Sequence, residues 1–154
     1  NDALLLRGGM DLTLVNSVVT GSPICLDVDG NGTMQPAGAG PEEAGPPRFE
    51  SVFFSCPTAF RDEADISAAA IAAAFDAGSN NTANGVSTLT SLFVNGANEN
   101  AVVAFDLSTI SSYFTPTNYI GAVRNNTDLW FEGWTSGLGF STPSCTTVPQ
   151  NTAS

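Results

Sequence analysis

Short apolar segments separated by tight turns fill the first 28 residues, and this feature constrains the fold most strongly. The opening reads NDALLLRGGMDLTLVNSVVTG, with Leu4 and Leu6 before a Gly-Gly turn. In the next segment Leu12 and Leu14 alternate with polar residues, which is the period of a strand that buries one face. A third apolar segment, 24–28, follows another Gly-containing turn. The chain is therefore predicted to begin as a series of short strands.

Strands of this length and spacing, with an Asn just past a Leu-x-Leu, predict the end of a right-handed parallel β-helix. In that solenoid each turn of the chain buries its inward side chains against its neighbours. An antiparallel β-sandwich or meander is the alternative. We expect Leu4, Leu6, Leu12 and Leu14 to lie at an uncapped end and to mediate self-association. Another copy of the chain stacked head to tail, giving a filament, or the remainder of a longer precursor is expected to cover them.

The rest of the chain adds one helix and several loops. Residues 30–48 contain too much Gly and Pro for a regular element. The segment RDEADISAAAIAAAFDAG predicts one Ala-rich helix at about residues 62–77, with acidic residues in its first turn. Residues 1–141 are predicted to form a single β-rich domain, and 142–154 a Ser/Thr/Pro-rich tail.

The charge composition excludes several classes of function. The chain has 15 acidic residues, four arginines, no Lys and no His, for a net charge of −11. Phosphate backbones repel such a chain, so we expect no nucleic-acid partner, and no apolar run reaches the roughly 18 residues that a membrane-spanning helix needs. Without His there is no Ser-His-Asp or Cys-His nucleophile system, and without Lys there is no Schiff base. The protein is therefore not expected to be an enzyme.

Three cysteines, Cys25, Cys56 and Cys145, are not spaced as metal ligands. Cys25 and Cys56 flank the 30–48 loop, which predicts a disulfide between them. The alternative is three reduced, partly buried thiols. The acidic, Thr- and Asn-rich, Lys-free composition favours an extracellular or cell-surface location.

The segment DVDGNGT is the candidate metal site. Asp27, Asp29 and Asn31 occupy positions 1, 3 and 5 of a calcium-loop pattern, with Gly32 at the sharp turn. Position 12 is Gly38 rather than the bidentate Glu of that pattern, and Glu42 or Glu43 is the candidate to replace it. The alternative is an Asx-type turn after a strand.

Two longer segments carry a family resemblance. They are ICLDVDG with FESVFFSCPTAF, and LFVNGANENAVVAFDLSTISSYFTPTNYIGAVRNNTDLWFEGWTSGL. Together they resemble the C-terminal region of large bacterial exported and lipoprotein-like β-rich surface proteins of unassigned function. The closing pattern Y-I-G-A-V, W and G-W-T matches at 119–123, Trp130 and 133–135, but Ser136 stands where that class often has Cys. The resemblance implies a longer β-rich precursor and no catalytic residue.

The sequence is compatible with three functions. The first is a non-catalytic extracellular structural module for surface display, adhesion or filament assembly. The second is a glycan-binding module that stacks sugars on Tyr119, Trp130 and Trp134. The third is a polysaccharide-active enzyme, which needs two carboxylates about 5–9.5 Å apart in a groove. Asp27 with Asp29, or Glu50 with Asp106, are the candidate pairs.

Overall fold

The computed structural model describes residues 1–36, 38, 45–132 and 135. Its strands, in chain order, are β1 (Asp2–Arg7), β2 (Thr13–Thr20), β3 (Ile24–Asp29), β4 (Arg48–Ser55) and β5 (Thr58–Phe60). The helices are α1 (Ala68–Asp76) and the four-residue α2 (Ala97–Asn100), with single 3-10 turns at Asn31–Thr33 and Leu107–Thr109.

The five strands form two small parallel sheets. One sheet has the order β1-β3-β5 and the other pairs β2 with β4, so successive strands alternate between the sheets. Leu4 lies beside Leu26 and Leu6 beside Val28 in the first sheet. Parallel neighbours are thus separated by long connections, as parallel pairing requires.

The predicted β-helix is wrong, although the protein is mostly β. The described residues form two small parallel sheets with a helix, and they do not close into a solenoid. Among the described residues the last strand ends at Phe60, and α1 and largely irregular segments follow it. The antiparallel alternative is also wrong for the strands, because all three described strand pairings are parallel. Alternation along the sequence indicates which side chains face inward, but it carries no information about which strands pair.

The main core lies between the two sheets and under α1. Its largest fully buried side chains include Leu26, Phe49, Phe54 and Ile71. Phe75 of α1 joins them, with its ring centroid 5.3 Å from that of Phe49 and 4.7 Å from that of Phe54. Helix α1 therefore closes the core at the β4 and β5 side.

Helix α1 is shorter than predicted, since it begins at Ala68 rather than near residue 62. Ser67 has an extended backbone and accepts a hydrogen bond from the Ala70 N–H, and Asp62 Oδ1 accepts one from the Ala68 N–H. A serine cap of this kind satisfies amide groups that the first turn leaves without partners. The acidic residues before Ser67 therefore lie outside the helix and can make other contacts.

The predicted Cys25–Cys56 disulfide is confirmed, and it joins β3 to the chain just after β4. The 142–154 tail, which includes Cys145, lies outside the described residues. Within the described part of the chain, none of the helices has the length and apolarity that crossing a membrane would require.

Residues 79–85 run along β4 on the side away from β2. The Ser51 N–H donates to the Ser79 carbonyl, and the Phe54 N–H donates to the Thr82 carbonyl, both at 2.8 Å. Asn81 reinforces this contact, because its side-chain oxygen accepts from the Val52 N–H at 2.9 Å. The outer edge of β4 is therefore occupied.

Candidate functional site

The acidic residues of the predicted metal site lie on one face of β3. Leu26 and Val28 are buried in the core, and alternation along a strand places Asp27 and Asp29 on the opposite face. Asn31 follows in an exposed 3-10 turn. The structure therefore places Asp27 and Asp29 on a common face and Asn31 beyond the end of the strand.

Arg61 lies at the centre of the charges around β3. Its backbone N–H donates to the Leu26 carbonyl at 2.9 Å, which positions the side chain beside Asp27. The guanidinium pairs with Asp2, lies 2.9 Å from Asp27 Oδ2 through Nε, and lies 3.8 Å from Glu63 Oε1. One arginine thus connects β1, β3 and the segment that leads to α1.

Asp27 is an unusual member of this group, because it is only 6% exposed. Burial raises the pKa of its carboxyl group, and the nearby Arg61 charge offsets this only in part. Its Oδ1 atom is buried and has no hydrogen-bond partner among the described residues. A buried polar oxygen without a partner is uncommon and indicates either a cost in stability or a missing ligand.

A second set of carboxylates lies next to Asp27. One oxygen of each of Asp29, Glu63 and Asp65 lies within 4.8 Å of the others. The Gly30 N–H donates to Asp65 Oδ2 at 2.9 Å and holds this aspartate at the end of β3. The pKa of Glu63 is raised, first by the negative charge of Asp27 and then by desolvation, so like charges are crowded here.

Sequence reasoning missed Glu63 and Asp65 as members of this group. The sequence pattern places both in the first turn of a helix, where acidic residues are common. The available signal was Ser67, which is a strong N-cap residue and places the acidic run before the helix.

The uncapped end of the sheets is the second candidate site. Strand β1 pairs only with β3, and no described residue bonds to its outer edge. Leu6 is buried, whereas Leu4, Leu12 and Leu14 are partly buried and pack against the core. All four leucines therefore contact the main core, and Leu4 and Leu6 belong to the strand with the open edge. Their role in self-association stays a prediction.

The structure describes two of the three aromatic residues that are predicted to stack sugars, Tyr119 and Trp130. Trp134 lies outside the described residues. Trp130 is exposed, and its indole N–H donates to the Ala122 carbonyl at 2.8 Å. Burial, followed by the Asp128 charge and hydrogen bond, raises the pKa of Tyr119. Glycan stacking on these residues stays a prediction.

Glu50 and Asp106, the candidate catalytic pair outside β3, both have structural partners. Glu50 accepts hydrogen bonds from Arg48, from the Ser79 N–H and from the Ser79 hydroxyl. Burial raises its pKa, but these bonds outweigh that effect and leave it lowered. Asp106 accepts from the Ser108 N–H and hydroxyl. Both residues therefore stabilise local turns and strand contacts.

Comparisons with protein-family models, with curated proteins and with solved structures find no match to this chain.

Proposed function

We propose that this protein is a non-catalytic extracellular structural module that assembles with a second copy of itself through the outer edge of β1. The observation that carries the proposal is the asymmetry between the two ends of the sheets. Helix α1 and residues 79–85 cover one end, while β1 has no described partner on its outer side. An uncovered edge strand presents backbone donors and acceptors that pair readily with another strand.

The side chains at this end favour an apolar contact. Leu5 points away from the core and is 45% exposed, and Leu4, Leu12 and Leu14 are only partly buried. Strand β2 is less accessible, because the Gly121 N–H donates to the Asn16 carbonyl at 2.8 Å in the middle of that strand. Strand β1 is therefore the edge that we assign to assembly.

The arrangement favours a closed pair over the head-to-tail filament expected from the sequence. A propagating contact needs a second open end, and on the opposite side residues 79–85 pair with β4 while α1 packs against β4 and β5. Strand β1 also starts at Asp2 and ends at Arg7, so an antiparallel mate brings its acidic end toward the basic end of its partner. Parallel mates would place like charges side by side instead.

Two further features support the extracellular and non-catalytic parts of the proposal. The Cys25–Cys56 disulfide is typical of oxidising compartments. The sequence has neither His nor Lys, which removes the residues of most side-chain catalytic systems.

Sedimentation equilibrium over a range of protein concentrations tests the assembly. We expect a monomer–dimer equilibrium that strengthens as salt is raised, because each copy carries a charge of −11 and salt screens the repulsion. Leu5→Lys places a charge on the open edge and should abolish the dimer without touching the core. Leu92→Lys is the matched control, since Leu92 is 89% exposed and belongs to a different segment.

A wild-type chain that stays monomeric at every concentration and salt level would show that β1 does not mediate assembly. Fibres in place of dimers would show that the copies associate head to tail, as expected from the sequence. Equal loss of dimer in Leu5→Lys and Leu92→Lys would place the interface elsewhere.

A further inference from the structure

We propose that Asn31 is a site of spontaneous covalent modification, at which the side-chain amide is converted to a carboxylate through a cyclic succinimide. Asn-Gly pairs occur in the sequence at 31–32, 84–85 and 95–96. Such a pair favours this reaction, because glycine has no Cβ to obstruct attack by its own backbone nitrogen and its backbone rotates freely. The fold leaves the first pair open and restrains the other two. The proposal is independent of assembly through β1.

The reaction needs only water as a co-reactant. The backbone nitrogen of Gly32 attacks Cγ of Asn31, so that a new N–Cγ bond closes the ring while the Cγ–Nδ2 bond breaks. Nδ2 leaves as ammonia and takes the proton of the Gly32 amide. Water then opens the ring at either carbonyl, which gives aspartate or, if the bond to the backbone carbonyl carbon breaks, isoaspartate. Both products carry one more negative charge than asparagine.

Asn84 is protected because the glycine that follows it is held against β4. The Gly85 N–H donates to the Phe54 carbonyl at 2.8 Å, so the attacking nitrogen is already engaged. A Cβ at Gly85 would lie 2.2 Å from the Phe53 ring, which shows how closely this backbone packs. Ring closure at Asn84 would first require local opening of this contact.

Asn95 is protected by burial and by its hydrogen bonds. It is only 6% exposed, and its amide donates to the Ile120 carbonyl at 2.6 Å. The Gly96 N–H donates to Oε2 of the buried Glu99 at 3.1 Å. A Cβ at Gly96 would lie 2.0 Å from the Thr88 carbonyl oxygen. Neither the amide nor the attacking nitrogen of this pair is free to move.

Asn31 lies in a surface turn without these restraints. The residue is exposed and belongs to a single 3-10 turn, a geometry with poor hydrogen bonds. The Thr33 N–H donates to the Gly30 carbonyl at 2.9 Å, and the Met34 N–H donates to the Asn31 carbonyl at 3.2 Å. Neither bond engages the attacking Gly32 nitrogen. Among the described residues, only chain neighbours would lie within 4 Å of a Cβ at Gly32, so the backbone there has room to rotate.

The same turn links the end of β3 to the turn that follows β1. Thr33 is fully buried, and its hydroxyl donates to the Asp29 carbonyl at 3.1 Å and accepts from the Gly9 N–H at 3.2 Å. Isoaspartate at position 31 adds a methylene group to the main chain two residues before Thr33. The new carboxylate also lies two residues after Asp29, which adds repulsion between like charges. The modification therefore weakens the link between β1 and β3.

Incubation of the full chain at mildly alkaline pH, with and without urea, tests the site. Alkaline pH speeds the reaction because the attacking nitrogen must lose its proton, and peptide mapping by mass spectrometry detects the gain of one mass unit. In buffer we expect this gain only at Asn31, as a mixture of aspartate and isoaspartate. In urea Asn84 and Asn95 should react as well, because their protection comes from the fold.

Gly32→Ala is the variant that tests the mechanism. Gly32 does not have a left-handed backbone and the space around its Cβ position is open, so alanine should leave the melting temperature unchanged. The added methyl group obstructs attack by the backbone nitrogen, and the modified species should be lost over the same incubation. The isoaspartyl form of the wild type, separated by ion exchange, should melt below the unmodified protein, because it disturbs Thr33.

Four outcomes would count against the proposal. Asn84 or Asn95 reacting in buffer as fast as Asn31 would show that the fold does not select the site. An Asn31 that reacts in urea and stays intact in buffer would show that its turn is protective. An equal rate in Gly32→Ala would exclude the succinimide. Equal melting temperatures of the isoaspartyl and unmodified forms would overturn the weakened link between β1 and β3.

Discussion

Replacing Glu99 by glutamine should destabilise this protein strongly, although the two side chains have nearly the same shape. Glu99 is fully buried in α2. Its Oε1 accepts from the Thr88 N–H at 2.8 Å, and its Oε2 accepts from the Thr88 hydroxyl at 2.6 Å and the Gly96 N–H at 3.1 Å. All of its partners act as donors, which suits a carboxylate and not an amide.

The magnitude follows from these three hydrogen bonds. In Glu99→Gln one oxygen becomes an NH₂ group, so either the Thr88 N–H or the Gly96 N–H must face another donor. An unsatisfied buried donor costs about 1–3 kcal/mol, and the bonds that remain lose the strengthening that a charged acceptor provides. We expect a loss of about 2–3 kcal/mol in the free energy of unfolding at pH 7.

The pH dependence separates this mechanism from simple loss of packing. Burial raises the pKa of Glu99, but the hydrogen bonds from Thr88 and nearby groups outweigh burial, and the pKa is lowered below the ordinary glutamate value of 4.5. A carboxyl group with a lowered folded-state pKa stabilises the protein above its unfolded pKa, and this contribution is lost as pH falls through the folded pKa. The difference between wild type and Glu99→Gln should therefore shrink as pH falls below about 4.5.

Urea unfolding at a series of pH values measures the effect, with Glu132→Gln as the control at an exposed glutamate. The reasoning is refuted if Glu99→Gln matches wild type at pH 7. It is also refuted if the difference between them stays constant from pH 7 to well below 4.5, because a packing defect does not titrate.

Two further predictions concern stability. Replacing Cys25 and Cys56 together by serine should reduce the free energy of unfolding by about 3.7 kcal/mol in the chain-entropy model for their separation of 31 residues, as measured by urea unfolding, and equal stability after reduction of the wild type would contradict it. Phe75→Ala should cost about 3–5 kcal/mol because the ring is fully buried against neighbouring phenylalanines, whereas Ala73→Gly at an exposed position of α1 should cost only about 1 kcal/mol. Similar melting temperatures for the two α1 variants would mean that α1 does not close the core.

The sequence by itself determined the local features of this protein. Alternation around Leu12 and Leu14 and the apolar segments near Leu4 and at 24–28 correctly predicted strands, because the inward or outward direction of a side chain depends only on its position along the strand. The disulfide could also be predicted from the sequence, since Cys25 and Cys56 flank one long loop and the chain has only one other cysteine. The absence of His and Lys excluded most side-chain catalytic systems, and that conclusion requires no knowledge of the fold.

Pairing and assembly of distant segments were decided by the tertiary structure. Whether β1 lies beside β3 or beside β2 depends on which pairing buries Leu6, Leu26 and Val28 together, and that is a property of the whole core. The acidic residues around Arg61 are likewise brought together by the packing of the whole core. The contact of Arg61 with Leu26 and of Asp65 with Gly30 brings two segments together that are more than thirty residues apart, and no local pattern in the sequence records that proximity.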